Sequence, residues 1–294
     1  MDYKKWLNKN TESLSGKTVA VTGTTGGLGR ELCDFIASLG ASLILMDRNK
    51  KRSEAHRDEL KTRHGCNVEC INVDLEDINS VKGATSELLS NYEPDIFIHN
   101  AGAYSIPRKK CGTGMDNVFQ INFVSPYYMI RKMLPELKKR DGRVIVVGSI
   151  AHNYSKIDVR DVDFATRKKA SRVYGNAKRY LMFSLYELFK NEENVTLSVT
   201  HPGITFTNIT AHYPKVIFAL IKHPMKVIFM KPRKAALCIL KGVFDPCGYH
   251  EWIGPRIFDV WGLPKKKALR TCSIAESEKI AEIAEEIYNN VGDI

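Results

Sequence analysis

The 294-residue chain predicts an α/β fold, a single domain on a doubly wound, mostly parallel sheet of about seven strands with helices on both faces. Three observations carry this reading. Short apolar runs of strand type alternate with helix-like segments as far as about residue 200, the rhythm of right-handed crossovers. The first run, Val19-Ala20-Val21, enters the glycine turn Thr22-Gly23-Thr24-Thr25-Gly26-Gly27-Leu28-Gly29, and a helix-like segment, Arg30 to Leu39, follows at once. Polar side chains then close successive strands, at Asp47, Asp74 and Asn100, the edge where ligands bind in sheets of this kind.

Residues 1 to 15 read as a polar lead-in with one tryptophan, Trp6. Lys17 to Thr22 is the first strand, and Leu32, Phe35, Ile36 and Leu39 share one face of the first helix, which Gly40 ends. Ala41 to Met46 is apolar throughout apart from Ser42, as in a strand buried on both faces, and delivers Asp47. A polar helix from about Lys51 to His64 precedes the strand Val68 to Val73, which ends in Asp74-Leu75. A helix from about Ile78 to Asn91 precedes Asp95 to His99, which ends in Asn100-Ala101-Gly102. One long helix from about Met115 to Lys138 leads to the strand Arg143 to Gly148 and Ser149. A helix from about Ala170 to Lys190 then leads to Val195 to Thr200 and His201-Pro202-Gly203.

Beyond Thr207 come two apolar runs, Val216 to Ile221 and Val227 to Met230, broken by Pro224, for which plain core packing is one reading. Lys215, Lys222, Lys226 and Lys231 flank them and would suit peripheral membrane contact through 214–231. Lys234 to Phe244 is helix-like, and Gly248 to Trp261 reads as a last strand and a turn. Ser273-x-x-Glu276 is a capping box that opens a C-terminal helix over about 274–290, with Ile280, Ile283 and Ile287 on one face.

Composition narrows the function classes. Apolar residues make up 44% and charged residues 26%, an average balance that argues against disorder. The longest apolar runs fall short of the ~18 to 20 residues that span a bilayer. The first six residues lack the apolar core of a secretory signal, so a cytoplasmic location is expected. Seven cysteines form no C-x-x-C pair, so neither a disulfide framework nor a metal site is expected. The net charge of +11 is spread over clusters such as Arg108-Lys109-Lys110, Lys138-Lys139-Arg140 and Lys265-Lys266-Lys267, read as solvated faces. They lack the aromatic interleaving of a nucleic-acid binder, so no nucleic-acid partner is expected.

The glycine turn is chemically specific in its context. Gly23, Gly27 and Gly29 let the backbone approach a pyrophosphate, with Thr24, Thr25 and Leu28 on the same loop, and the helix start supplies N–H donors and partial positive charge. Asp47 can accept hydrogen bonds from both adenosine ribose hydroxyls and would repel a 2′-phosphate, which favours NAD over NADP. Arg48, with Lys50, Lys51 and Arg52 close behind, argues the other way.

Five ordered motifs resemble the short-chain dehydrogenase/reductase family over most of the chain. They are Thr22 to Gly29, Asp74-Leu75, Asn100-Ala101-Gly102, Ser149 with Tyr174-Gly175-Asn176-Ala177-Lys178, and Pro202-Gly203 with Thr207. Ser149-Ile150-Ala151-His152 followed by a long insert looks most like the retinol-dehydrogenase-like branch. The resemblance implies a Rossmann fold and hydride transfer between NAD(P) and an alcohol or carbonyl. It implies Tyr174 as acid/base, Ser149 as stabiliser of the substrate oxygen, Lys178 on the nicotinamide ribose and Asn122 supporting a water. Tyr174 and Lys178, four apart on a helix, share a face, and an ammonium beside a phenol lowers its pKa from near ~10.

By the same resemblance Asp74 and Leu75 border the adenine, and Asn100, Ala101, Gly102, Pro202, Gly203 and Thr207 line the cofactor. The resemblance also implies a substrate-covering segment after Thr207, here an apolar lid over about 208–231, which points to a lipid-, steroid- or retinoid-like substrate. The helices bearing Asn122 and Tyr174 would form a four-helix contact, so a homo-oligomer, dimer or tetramer, is expected. His99 departs from the pattern, where Asn is commoner, and reads as a packed strand residue. The insert 153–172, with Tyr154, Asp158, Asp161 and Asp163, should lie over the substrate mouth. The competing class is a catalytically silent dinucleotide-binding sensor or scaffold.

Overall fold

The computed structural model describes residues 3–204 and 230–292. Thr207 and nearly all of the expected lid lie outside the described residues. Strands β1 (Thr18–Thr22), β2 (Ser42–Asp47), β3 (Val68–Asn72), β4 (Ile96–His99), β5 (Gly142–Val147), β6 (Val195–Thr200), β7 (Glu251–Ile257) and β8 (Trp261–Ala268) form one sheet. Its order is β3-β2-β1-β4-β5-β6-β7-β8, parallel up to β7 and antiparallel at β8. The order reverses between β1 and β4, which opens a crevice at their carboxyl ends. The glycine turn and Asn100 stand on its two lips.

The central strands β1, β2, β4, β5 and β6 are buried on both faces because they are apolar along most of their length. One face packs on α2 (Gly27–Ser38) and α8 (Pro232–Phe244), through Leu32, Phe35, Ile36, Leu237 and Leu240. The other packs on α4 (Ile78–Asn91), α6 (Ser125–Lys138) and α7 (Ala170–Leu188), through Val81, Leu88, Met133, Tyr180 and Phe183. Caps follow the sequence closely. Asn49 accepts from Arg52 N to start α3 (Lys50–His64), Gly65 ends it at φ 65°, and Asp77 caps α4. A short helix α1 (Tyr3–Asn10) buries Trp6 against the first of these faces.

Two elements differ from expectation. The helix placed over Met115 to Lys138 starts as α5 (Asn117–Phe119), capped by Asp116, and passes through a π turn at Gln120–Val124 before α6. Pro126 has no N–H for the Asn122 carbonyl, and Asn122 Nδ2 donates to Val118 O at 2.8 Å, so the ladder opens there. The second difference is β8, an eighth strand where a turn and a lysine cluster were expected. Those lysines are not simply solvated. Lys266 is held by Asp245 and by Pro246 O at 2.7 Å, and Lys267 by Asp259 and Pro255 O, both at 2.8 Å.

The C-terminal helix α9 (Ile274–Gly292) opens with Glu276 N donating to Ser273 Oγ at 3.2 Å. Ile280, Ile283, Ala284 and Ile287 are buried in the α6–α7 layer. Tyr288 packs at a tilt against Tyr128 (ring centres 5.8 Å apart), with the Arg131 guanidinium 4.6 Å above its ring. The chain thus covers with its own helix a face of the two helices expected to carry an intersubunit contact.

Candidate active site

Between the lips lies a cleft of about 880 Å³, bordered by the glycine turn, the ends of β2 to β6 and the start of α7. Of the residues singled out in the sequence, Gly23, Thr25, Gly27, Leu28, Gly29, Asp47, Arg48, Asp74, Leu75, Asn100, Ala101, Gly102, Ser149, Tyr174, Lys178, Pro202 and Gly203 line it. Thr24 and Asn122 stand behind the wall rather than on it.

The turn is built for close approach. A Cβ on Gly29 would stand 2.2 Å from Gly23 O, and Gly23 has φ 73°. Gly26 caps α2 without any side-chain hydrogen bond, so its first N–H groups face the cleft uncapped by the chain. Asn100 Nδ2 donates to Thr22 O (3.1 Å) and Gly23 O (2.9 Å), tying β4 to the turn. Its Oδ1 is buried without a protein partner. A glycine cradle, bare helix donors and an orphaned acceptor together fit a dinucleotide.

Asp47 departs from its expected posture. It is 4% exposed, and its four acceptor positions are all taken. Oδ2 accepts from Thr24 Oγ1 and from Ser53 Oγ (3.1 Å), and Oδ1 from Thr25 N and Thr25 Oγ1, both at 3.2 Å. Arg48 and Arg52 are exposed on the rim. Asn72 Nδ2 donates to the main-chain oxygens of Asp47 (3.0 Å) and Arg48 (2.9 Å) and so fixes where Arg48 leaves the sheet. Asp74 Oδ1 accepts from Glu76 N at 3.0 Å.

Across the cleft, Ser149 caps a 3-10 turn (Ile150–Asn153) by accepting from Ala151 N at 3.2 Å. Gly175 lets α7 touch that turn, which brings Tyr174 beside Ser149. Tyr174 meets the edge of Tyr104 at 5.4 Å. Its ring opens on the cleft, yet protein packed about the hydroxyl raises its pKa to about 12; a hydrogen bond with the Ser149 side chain works against that rise. Lys178 is 1% exposed, donates to Val147 O at 2.8 Å, and lies 5.7 Å from the Tyr174 ring centre. Burial brings its pKa down to about 7.

Asn122 Nδ2 also donates to Ala103 O at 2.8 Å, and its Oδ1 accepts from Ala103 N at 3.3 Å, so the amide clamps the β4 loop to the π turn. His99 is fully buried and bonded through Nδ1 to Thr22 Oγ1 at 3.0 Å. Burial, and then Lys178, hold its pKa well below 6.5. In the insert only Tyr154 and Ser171 reach the cleft. Asp158 pairs with Arg167 (2.6 Å), while Asp163 accepts from Asp116 N (2.8 Å), so these acids brace the loop.

Three supports escaped the sequence reading. Ser53 anchors Asp47 from α3. His152 joins Ser149 O (2.6 Å) to Thr271 Oγ1 (2.7 Å), with its pKa lowered by burial to about 4. Arg179, 2% exposed, donates to Glu276 (2.7 and 2.8 Å), His152 O (3.1 Å) and Thr271 O (2.8 Å). Arg179 lies one residue beyond Lys178 and Glu276 is the capping-box acid, but nothing in the sequence joins them.

Comparison with known proteins follows the same geometry. A profile described as short chain dehydrogenase matches residues 17–215. Retinol dehydrogenase 14 of Mus musculus is 30% identical over 215 residues, 68% of this chain and 64% of its own length. Dehydrogenase/reductase SDR family member 13 of Bos taurus is 30% identical over 246 residues, 80% of this chain and 65% of its own. The chain therefore spans just under two thirds of these curated relatives. Among solved structures, an uncharacterized protein from Mycobacterium paratuberculosis superposes with a TM-score of 0.75 at 21% identity, over 95% of each chain, a likeness of fold. With the glycine cradle, the Tyr174–Lys178 pair and the matched profile all in hand, the chain belongs to the short-chain dehydrogenase/reductase family.

Proposed function

We propose that the protein is an NAD(P)-dependent oxidoreductase that interconverts an alcohol and its carbonyl partner. The observation that carries this is the meeting of Tyr174 and Ser149 on one lip of the cleft, with the Lys178 amine buried behind the phenol. Gly23, Gly27, Gly29 and the start of α2 would hold the pyrophosphate, and Asn100, Gly102, Lys178 and Pro202 would border the remainder of the dinucleotide. When bound, the cofactor supplies the hydride acceptor or donor.

The protein's own residues move the proton. Tyr174 takes the hydroxyl proton of an alcohol, or gives one to a carbonyl, at its phenolic oxygen. Ser149 donates to the substrate oxygen and stabilises charge developing there. A protonated Lys178 offsets the burial that otherwise keeps the phenol neutral. Since the Asn122 amide is engaged with main chain, a relay water would be held by its main-chain carbonyl, which Pro126 deprives of its i+4 donor. The silent sensor reading gives no reason for Tyr174, Ser149 and Lys178 to converge.

Within this reading the cofactor is NADP rather than the NAD that Asp47 suggests in the sequence. A carboxylate with all four acceptor positions filled has none left for ribose hydroxyls, whereas Arg48 and Arg52 stand on the rim and suit a 2′-phosphate. Tyr104, Ile106, Ile121, Ile150 and Ile204 give the cleft an apolar share of its lining. That lining supports a lipid-, steroid- or retinoid-like substrate. Homo-oligomerisation remains part of the proposal, through a face other than the one α9 covers.

The test is nicotinamide absorbance with NADP and with NAD over medium-chain, steroid and retinoid alcohols and ketones, beside Tyr174→Phe. Turnover that falls about 10²- to 10⁴-fold in the variant supports the assignment. Equal turnover in both proteins would overturn it.

A further inference from the structure

The hairpin joining β7 to β8 ends in a tip whose apolar side chains face water. Phe258 is 89% exposed, Ile257 52%, Leu263 42% and Trp261 39%. Ile257 pairs directly with Trp261 across the hairpin, so the two share a face. Trp261, Leu263 and Lys265 follow at intervals of two along β8 and share a face as well. The turn is strained: Phe258 (φ 50°) and Asp259 (φ 57°) both occupy the left-handed region, which bulky side chains rarely adopt. Glycine or asparagine would make that turn more easily. A phenylalanine held there in water packs nothing, and such a patch marks an interaction surface.

Charge selects the partner. Between residues 256 and 270 there are five cations, Arg256, Lys265, Lys266, Lys267 and Arg270, and one acid, Asp259. The acid is turned back onto Lys267 and Asp245 holds Lys266, while Arg256, Lys265 and Arg270 are exposed and Lys234 Nζ stands 5.1 Å from the Trp261 ring centre. Lysines on an edge strand oppose pairing with a second copy of the same strand. Aromatic and aliphatic tips ringed by cations suit an anionic bilayer, where rings enter the interface and ammonium groups meet headgroups.

We propose that the β7–β8 hairpin docks the protein on an anionic lipid surface, with Phe258, Ile257, Trp261 and Leu263 inserted. The tip adjoins the cleft: a Cβ on Gly203 would meet Val260 O at 2.8 Å and Pro255 Cγ at 2.9 Å. Docking therefore sets the mouth of the site close to the lipid. The docking itself does not depend on the oxidoreductase reading.

The experiment is co-sedimentation of the full chain with phosphatidylcholine vesicles, with and without phosphatidylserine, at low and high salt. The expected result is binding to the anionic vesicles at least about tenfold over the neutral ones, weakened by salt, with Trp261 fluorescence quenched by brominated lipid. Phe258→Gly relaxes the turn, so it is expected to raise the thermal midpoint while lowering vesicle binding about tenfold. Undiminished binding by Phe258→Gly, or no binding by the parent protein, would overturn the proposal. A lipid-free dimer abolished by Phe258→Gly would also overturn it, by giving the tip to self-association.

Discussion

Gly175 and Ala151 approach so closely that a Cβ on the glycine would stand 2.1 Å from the Ala151 carbonyl oxygen. That contact sets α7 on the turn after β5 and puts Tyr174 beside Ser149. Gly175→Ala must push the two apart, at a cost of about 1 to 3 kcal/mol or more. The expected outcome is a lower thermal midpoint and a kcat loss that persists where the variant is fully folded. A variant with unchanged melting and unchanged kcat would show that the contact does not position the site.

Lys178 gives a pH signature with a definite sign. Its pKa falls from 10.5 to about 7 on folding, through burial. Between those values the unfolded chain carries a proton that the folded chain lacks, so stability rises with pH across that window and is level below it. Lys178→Met removes the buried amine. It should raise the thermal midpoint most near and below pH 7, with the gain shrinking as the pH approaches 10.5. A gain independent of pH would mean that the amine is not desolvated.

Cofactor choice can be read directly by titration. Arg48→Ala removes a rim guanidinium and is expected to weaken NADP binding by about ten- to a hundredfold, as for loss of a hydrogen bond to a charged group, with little effect on NAD. Tighter NAD than NADP binding by the parent protein would restore Asp47 to its expected role.

Arg179 and Glu276 make a nearly enclosed ion pair, and either side alone would leave a charge without its partner. Arg179→Met is expected to cost about 3 to 5 kcal/mol, and Glu276→Gln less, because the carboxylate is 15% exposed. Arg179→Lys should recover part of the melting loss but not the two main-chain bonds to His152 and Thr271. Kinetics then separate support from bulk stability: Arg179→Lys should lower kcat with KM little changed.

The early units were legible because β1 to β6 are apolar runs between amphipathic or well-capped helices, so periodicity and chain punctuation agree. The places of Ser149, Tyr174 and Lys178 on the cleft were legible as well, from a strand end and from the four-residue helix spacing. β8 was not legible, since Pro264 and three consecutive lysines speak against a strand, and an antiparallel edge tolerates both. The π turn was hidden because its cause is a pairing of Asn122 with Pro126, within an otherwise good helical pattern. The state of Asp47 depends on Thr24 from the glycine turn and Ser53 from α3, and no local pattern encodes that meeting.

The packing of α9 also has a consequence in time. The turn that bears Ser149 is finished by Thr271 and Glu276, which leave the ribosome long after the residues they brace. While the chain is being made, the glycine turn can assemble around its own strands as they emerge, domain-like pieces forming in order of synthesis. Until α9 arrives, Arg179 has no counter-charge and His152 no Thr271 hydroxyl. The glycine turn and the lip that bears Ser149 and Tyr174 are therefore completed at different moments, and a nascent chain stalled before residue 271 is expected to carry the first without the second.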